Sequence, residues 1–333
     1  MLALLVVISV AGCQLGSSSA AATDPTIPPA AGTTSGALIT EPADGPQLID
    51  RFIASARSSV DMTMYELVDT TTEQALVHDA KRGVTVRVIL DRNRELHSNQ
   101  PAYTQLAGAG VHVVWAPSGF KATHQKTITV DHARSLILTG NLVSRYYAAT
   151  RDFGIVDTDR ADVDAIEATF AADFTGSPIT PHDGHGLVWS PTDARPHLLD
   201  LINSAHATLR IENEEMSDAA VIHALEQAAQ RGVHVEVTMT NTGNAYATKF
   251  DELTGAGVHV ATDTGEKPVY IHAKAILVDA GTPTAKLFLG SENFSRTSLT
   301  GNRELGVITT NPTILTAVNG TLAQDFAQAR PWR

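Results

Sequence analysis

Two short motifs carry the residue types that could do chemistry: His124-Gln125-Lys126 and His272-Ala273-Lys274. Alternate residues of a β-strand share a face, so each spacing sets an imidazole beside an ammonium. The stretches Lys126 to Val130 and Lys274 to Val278 are β-branched and apolar, which predicts buried strands. Burying such a pair is costly without a partner. One pair can be an accident of a strand end. Two, at matching places, point to a single site with two imidazoles and two ammoniums. That set suits a phosphodiester. Negative charge grows on the equatorial oxygens as phosphorus becomes five-coordinate, and the lysines would meet it there. One imidazole can attack phosphorus while the other protonates the leaving alkoxide. The second imidazole then activates water to release the phosphohistidine. The scheme requires no metal and no cofactor.

Both motifs sit inside a longer repeat, offset by about 148 residues. Arg82-Gly83-Val84-Thr85-Val86 recurs as Arg231-Gly232-Val233-His234-Val235, and Leu106 to Val113 recurs as Leu253 to Val260. Arg151-Asp152-Phe153-Gly154-Ile155 recurs as Arg303-Glu304-Leu305-Gly306-Val307. Each half reads as helix (47–58, 196–207), strand (59–65, 208–214), helix (72–81, 218–230), strand, short helix and strand. The histidine strand follows, and then one more (135–139, 286–290). Alternating strands and helices predict an α/β protein, made of two pseudo-symmetric α-β-α sandwich halves with the site at their interface. The halves are read as residues 37–180 and 181–333, joined through a Pro-, Gly- and His-containing connection.

These residues resemble the phospholipase D superfamily, whose signature is His-x-Lys, four residues, Asp, then Gly-Ser/Thr-x-Asn. The second copy has His272, Lys274, Asp279 and Gly290-Ser291-Glu292-Asn293. The first has His124, Lys126, Asp131 and Leu138-Thr139-Gly140-Asn141. Leu138 stands where the family has glycine, so a slightly different backbone is expected there. The resemblance implies that Asn141 and Asn293 hydrogen-bond the phosphate oxygens. It also implies that Asp152 and Glu304 each orient a histidine through its other ring nitrogen, that His124 is the nucleophile and that His272 is the general acid. Asp131 and Asp279 lie an odd number of residues from their histidines and are expected to point away as structural residues.

The net charge of −12 disfavours a non-specific nucleic-acid binder, which usually shows a basic surplus. Val10-Ala11-Gly12-Cys13, after a short apolar run, resembles a bacterial lipoprotein lipobox. Residues 1–13 then read as a signal peptide ending in a lipidated Cys13, and 14–36 as a flexible tether. The expected setting is the outer side of the cytoplasmic membrane. The expected activity is a monomeric phosphodiesterase that removes a phospholipid headgroup. A metal-independent nuclease, a phosphatidyl transferase and an inactive binding protein are the alternatives. Glu66, Glu214 and Glu215 read as solvated strand ends, and Tyr65 and Tyr270 as packing residues. His112 and His259 read as structural, and Pro181-His182-Asp183-Gly184-His185 as a polar connection.

Overall fold

The computed structural model describes residues 37–263 and 269–333; Cys13 and the segment around it lie outside the described residues. Two eight-stranded sheets dominate. The first orders Ala37–Glu41, Thr150–Asp157, Arg134–Leu138, Lys126–Val130, Ser59–Met64, Thr85–Leu90 and His112–Trp115, and Tyr270–Ile271 adds to Thr150–Asp157. The second orders Leu187–Ser190, Glu304–Thr309, Lys286–Gly290, Ala275–Val278, Thr208–Glu212, His234–Thr240, His259–Asp263 and Arg330–Pro331. Each sheet is parallel through its βαβ units and antiparallel around its histidine strand.

Aspartates open the second helix of each half. Asp69 and Asp218 cap Thr70–Lys81 and Ala219–Gln230 through side-chain acceptors. The glycines beyond them, Gly83 and Gly232, take φ of 88° and 90°, where a side chain would be strained. The helices expected over 47–58 and 196–207 are shorter, Gln47–Ala54 and Ala194–Asn203. In each case a serine C-cap ends the helix and the chain turns directly into the next strand.

Each half has its own core, and a third apolar cluster joins them. Ile137, Phe153 and Ile155 of the first half pack with Leu277, Leu287 and Leu305 of the second. Two buried ion pairs cross this seam with matching geometry. Arg151 meets Asp325 at 2.5 Å and Arg303 meets Asp173 at 2.9 Å, so each arginine reaches the long helix of the other half. Breaking one such pair would leave a buried charge alone, at a cost of roughly 3–5 kcal/mol.

Among the described residues, no helix is long and apolar enough to cross a membrane.

Candidate active site

The histidines lie just before their strands, not within them, because those strands begin at Lys126 and Ala275. Each motif is instead held against the other half. Thr123 bridges Arg303, and the His124 amide donates to the Arg303 carbonyl at 2.9 Å. Tyr270–Ile271 pairs with Thr150 and Arg151, and the His272 amide donates to the Arg151 carbonyl at 3.2 Å. The lysines fold back onto the same turns: Lys126 Nζ donates to the His124 carbonyl at 2.6 Å and Lys274 Nζ to that of His272 at 2.5 Å.

This docking crosses the acids. Nδ1 of His124 lies 2.8 Å from Oε2 of Glu304, and Nδ1 of His272 lies 2.9 Å from Oδ1 of Asp152. Each carboxylate therefore orients the imidazole of the opposite half. With Nδ1–H donating to a carboxylate, the free lone pair of a neutral ring sits on Nε2. The acids are themselves braced. Thr139 donates to Asp152 at 2.7 Å, and Ser298 and Asn302 donate to Glu304 at 2.5 and 2.8 Å. Both imidazoles, Asn141, Asn293 and Asp152 line one cavity of about 860 Å³. The carbonyl oxygens of the two asparagine side chains are buried there without a partner.

Electrostatics separate the groups. Burial, followed by the nearby Lys126 ammonium, pushes His124 below the usual imidazole range. Burial and then the Lys274 ammonium bring Lys126 down to about 7. Burial alone would raise Glu304 and Asp152. The attraction of their histidines and lysines outweighs it and holds both carboxyls low.

Asp131 and Asp279 point away from the cavity. Asp131 accepts from the amides of Arg57, Ser58 and Ser59, and Asp279 from those of His206, Ala207 and Thr208. Each sits in a left-handed turn, at φ of 57° and 50°, and ties the histidine strand to the start of its neighbour.

The backbone at Leu138 does not depart from that of its counterpart. Leu138 pairs with Gly154 as Gly290 pairs with Gly306. The space is filled reciprocally. A Cβ on Gly154 would stand 2.7 Å from the Leu138 side chain, whereas a Cβ on Gly290 would meet the buried Glu292 carboxyl and one on Gly306 the Phe288 ring. Gly140 takes the place of Glu292 in the first half, so Leu138 stands in the space that Glu292 and Phe288 share in the second.

A profile described as "Cardiolipin synthase, PLD-like domain" matches residues 49–174 and 198–329. The chain belongs to this phospholipase D-like family. It is 25% identical over 325 residues to cardiolipin synthase A of Klebsiella pneumoniae, covering 81% of this chain and 65% of that protein. It is 27% identical over 201 residues to a polyphosphate kinase of Bacillus cereus, covering 55% of this chain and 28% of the kinase. The chain thus spans little more than a quarter of that relative. The crystal structure of a phosphatidylserine synthase from Haemophilus influenzae shares the fold, with a TM-score of 0.68 at 13% identity, covering 88% of this chain and 87% of that one.

Residues read in the sequence as solvated strand ends belong to this phospholipase D-like site. Glu66, Glu214 and Glu215 all line the cavity, with Tyr65 and Tyr270. Glu214 goes furthest in: its Oε2 lies 3.3 Å from Lys274 Nζ and 3.4 Å from His272 Nε2, and Tyr270 donates to its Oε1 at 3.1 Å. Burial would raise this carboxyl, but His272 and Lys274 hold it well below the usual range. No periodicity signals the contact, because the chain leaves the strand at Glu212 and turns before reaching Glu214. The loop carrying His182 and His185 belongs to a separate, smaller cavity, where His185 pairs with Asp159 at 3.0 Å.

Proposed function

We propose that this protein cleaves a phosphodiester by covalent catalysis on His124, and that the substrate is a phospholipid whose headgroup alcohol leaves. One observation carries the reading: two imidazoles, each fixed at Nδ1 by an acid of the opposite half, line one cavity together. Nε2 of His124 attacks phosphorus and forms the P–N bond. Nε2 of His272 gives its proton to the departing oxygen. Water then yields a proton to His272, attacks phosphorus and breaks the P–N bond. Lys126, Lys274 and the amides of Asn141 and Asn293 supply donors where charge develops. Asp152 and Glu304 fix the tautomers and steady the imidazolium forms. Burial, and after it the Lys126 ammonium, favours the neutral, nucleophilic state of His124.

The lipid reading gains support from the acidic lining, Glu66, Glu214 and Glu215, which would repel a polyanionic strand. It also draws on the cardiolipin synthase relative, which aligns across most of this chain. That relative's name favours a second reading, in which an alcohol replaces water and the phosphatidyl group is transferred. Val10-Ala11-Gly12-Cys13 supports anchoring at a membrane surface by a lipid on Cys13.

The test is incubation of purified protein, with chelator, with phosphatidylcholine vesicles, phosphatidylglycerol vesicles and plasmid DNA. Headgroup release without nicking is expected. Nicking without headgroup release would replace the lipid reading with a nuclease. A phosphatidyl product formed on added glycerol would establish transfer.

A further inference from the structure

One buried hydroxyl touches two parts of the site that have separate tasks. Ser298 Oγ accepts from the Asn293 amide N–H at 2.7 Å and donates to Glu304 Oε1 at 2.5 Å. The other oxygen of that carboxylate, Oε2, holds His124 Nδ1 at 2.8 Å. A chain of single contacts therefore runs from the backbone of Asn293, through Ser298 and Glu304, to the His124 ring. Asn293 lines the cavity at one end of this chain and His124 lines it at the other.

The hydroxyl is fixed in place. Ser298 is 2% exposed and lies in the short helix Arg296–Gly301, where its own amide donates to the capping Ser295 Oγ at 3.3 Å. Its carbonyl accepts from Ser190 Oγ, which ties the same turn to the strand Leu187–Ser190. A serine hydroxyl has one proton to give and lone pairs to receive with, so both site contacts are made together. Asn302 Nδ2 also donates to Glu304 Oε1, at 2.8 Å, so the acid keeps one brace when the hydroxyl is removed. What Ser298 adds is the link to Asn293.

The first half is built differently. Ser298 lies five residues beyond Asn293 and six before Glu304, and Tyr146 holds that place between Asn141 and Asp152. Tyr146 is 38% exposed and lines the cavity, and its hydroxyl accepts from Arg145 at 2.8 Å. Asp152 is braced by Thr139, whose hydroxyl also receives the Phe153 amide at 2.9 Å. Ser291, which matches Thr139, receives the Leu305 amide at 3.2 Å. The hydroxyl brace on Glu304 comes from Ser298.

We propose that Ser298 is a positioning residue that holds Asn293 and Glu304 in one register, so that the amide donating to the phosphate oxygen and the acid aiming His124 act as a unit. The inference rests on the phosphodiesterase reading given above. A hydroxyl that only filled space would show no coupling to Asn293 and would not favour one histidine over the other.

The experiment compares wild type, Ser298→Ala, Ser298→Cys, Asn293→Ala and the double variant of Ser298→Ala with Asn293→Ala. The substrate is bis(p-nitrophenyl) phosphate, or the phospholipid vesicles above if the ester is not cleaved, and thermal melts confirm that each variant is folded. Ser298→Ala should lower kcat by at least about tenfold, the scale of a lost hydrogen bond to a charged group. In the Asn293→Ala background the same substitution should cost no more than about threefold, because the amide it positions is gone. Ser298→Cys keeps the volume with a weaker donor, should fall between wild type and alanine, and carries the test if alanine unfolds the chain. By NMR, the Nδ1 proton of His124 should move in Ser298→Ala, because its acid loses a donor, while that of His272 stays. Equal losses in the two backgrounds, a wild-type kcat in Ser298→Ala, or a His124 signal that does not move would overturn the role of Ser298 and leave the phosphodiesterase reading standing. A folded wild type that cleaves neither the ester nor the vesicles nor DNA would overturn that reading, and this inference with it.

Discussion

Asp152 belongs to the first half of the fold, yet it orients His272 of the second, with its Oδ1 2.9 Å from the ring Nδ1. Glu304 returns the arrangement by holding His124. The cause is backbone pairing across the seam, where each histidine amide donates to the carbonyl of the arginine before the opposite acid. Neither half therefore supplies both members of a pair in which a carboxylate holds Nδ1 of a motif histidine, and the chemistry depends on the seam.

This crossing can be read by NMR. Asp152→Asn should remove the downfield Nδ1 proton of His272 and leave that of His124 in place, and Glu304→Gln should do the reverse. Each variant should lower kcat by roughly 10²–10⁴-fold, as loss of an orienting carboxylate does in hydrolytic triads.

The pH dependence follows from two shifted groups. His124 must be neutral to attack, and its proton affinity is lowered, so the acid limb of kcat/KM should lie below the ordinary imidazole value of about 6.5. Lys126 must be charged, and burial beside Lys274 brings it to about 7. Activity on bis(p-nitrophenyl) phosphate should therefore fall as pH rises through about 7. A plateau reaching pH 9 would contradict this role for Lys126.

Stability should carry a separate signature at Glu41. Burial, then repulsion from Asp152, raises this carboxyl from 4.5 to about 7. The folded state keeps a proton that the unfolded chain releases, so this contribution is intact below about pH 4.5 and is lost as pH rises through about 7. Glu41→Gln should raise stability by roughly 1–3 kcal/mol at pH 8 and change it little at pH 4.5, as measured by urea melts.

Leu138 tests the reciprocal packing. Leu138→Gly would restore the family's usual residue, but it would open a void above Gly154 that nothing in the first half fills. A loss of roughly 3–5 kcal/mol is expected from the cavity and the added backbone freedom. An unchanged melting temperature would show that the neighbouring side chains close the gap.

Much of this was legible in the sequence because the signals were local and doubled. The His-x-Lys pairs, the asparagines, the acids and the glycine turns recur in order, and the alternation of strands and helices places them. What stayed hidden depends on contacts between distant segments. Nothing in the spacing tells which acid meets which histidine. Glu214 reads as a solvated strand end because its partners, Lys274 and His272, are about sixty residues away along the chain. Leu138 reads as a departure from the pattern until its exchange with Glu292 is seen in three dimensions.

The central claim is a covalent bond from His124 to phosphorus, and rapid acid-free quenching during turnover of bis(p-nitrophenyl) phosphate tests it most directly. Mass spectrometry of the digested protein should find a nitrophenyl-phosphoryl adduct on the peptide containing His124, at higher occupancy in a His272→Ala variant that cannot activate water. An adduct on His272 instead, or turnover with no adduct in any variant, would contradict it.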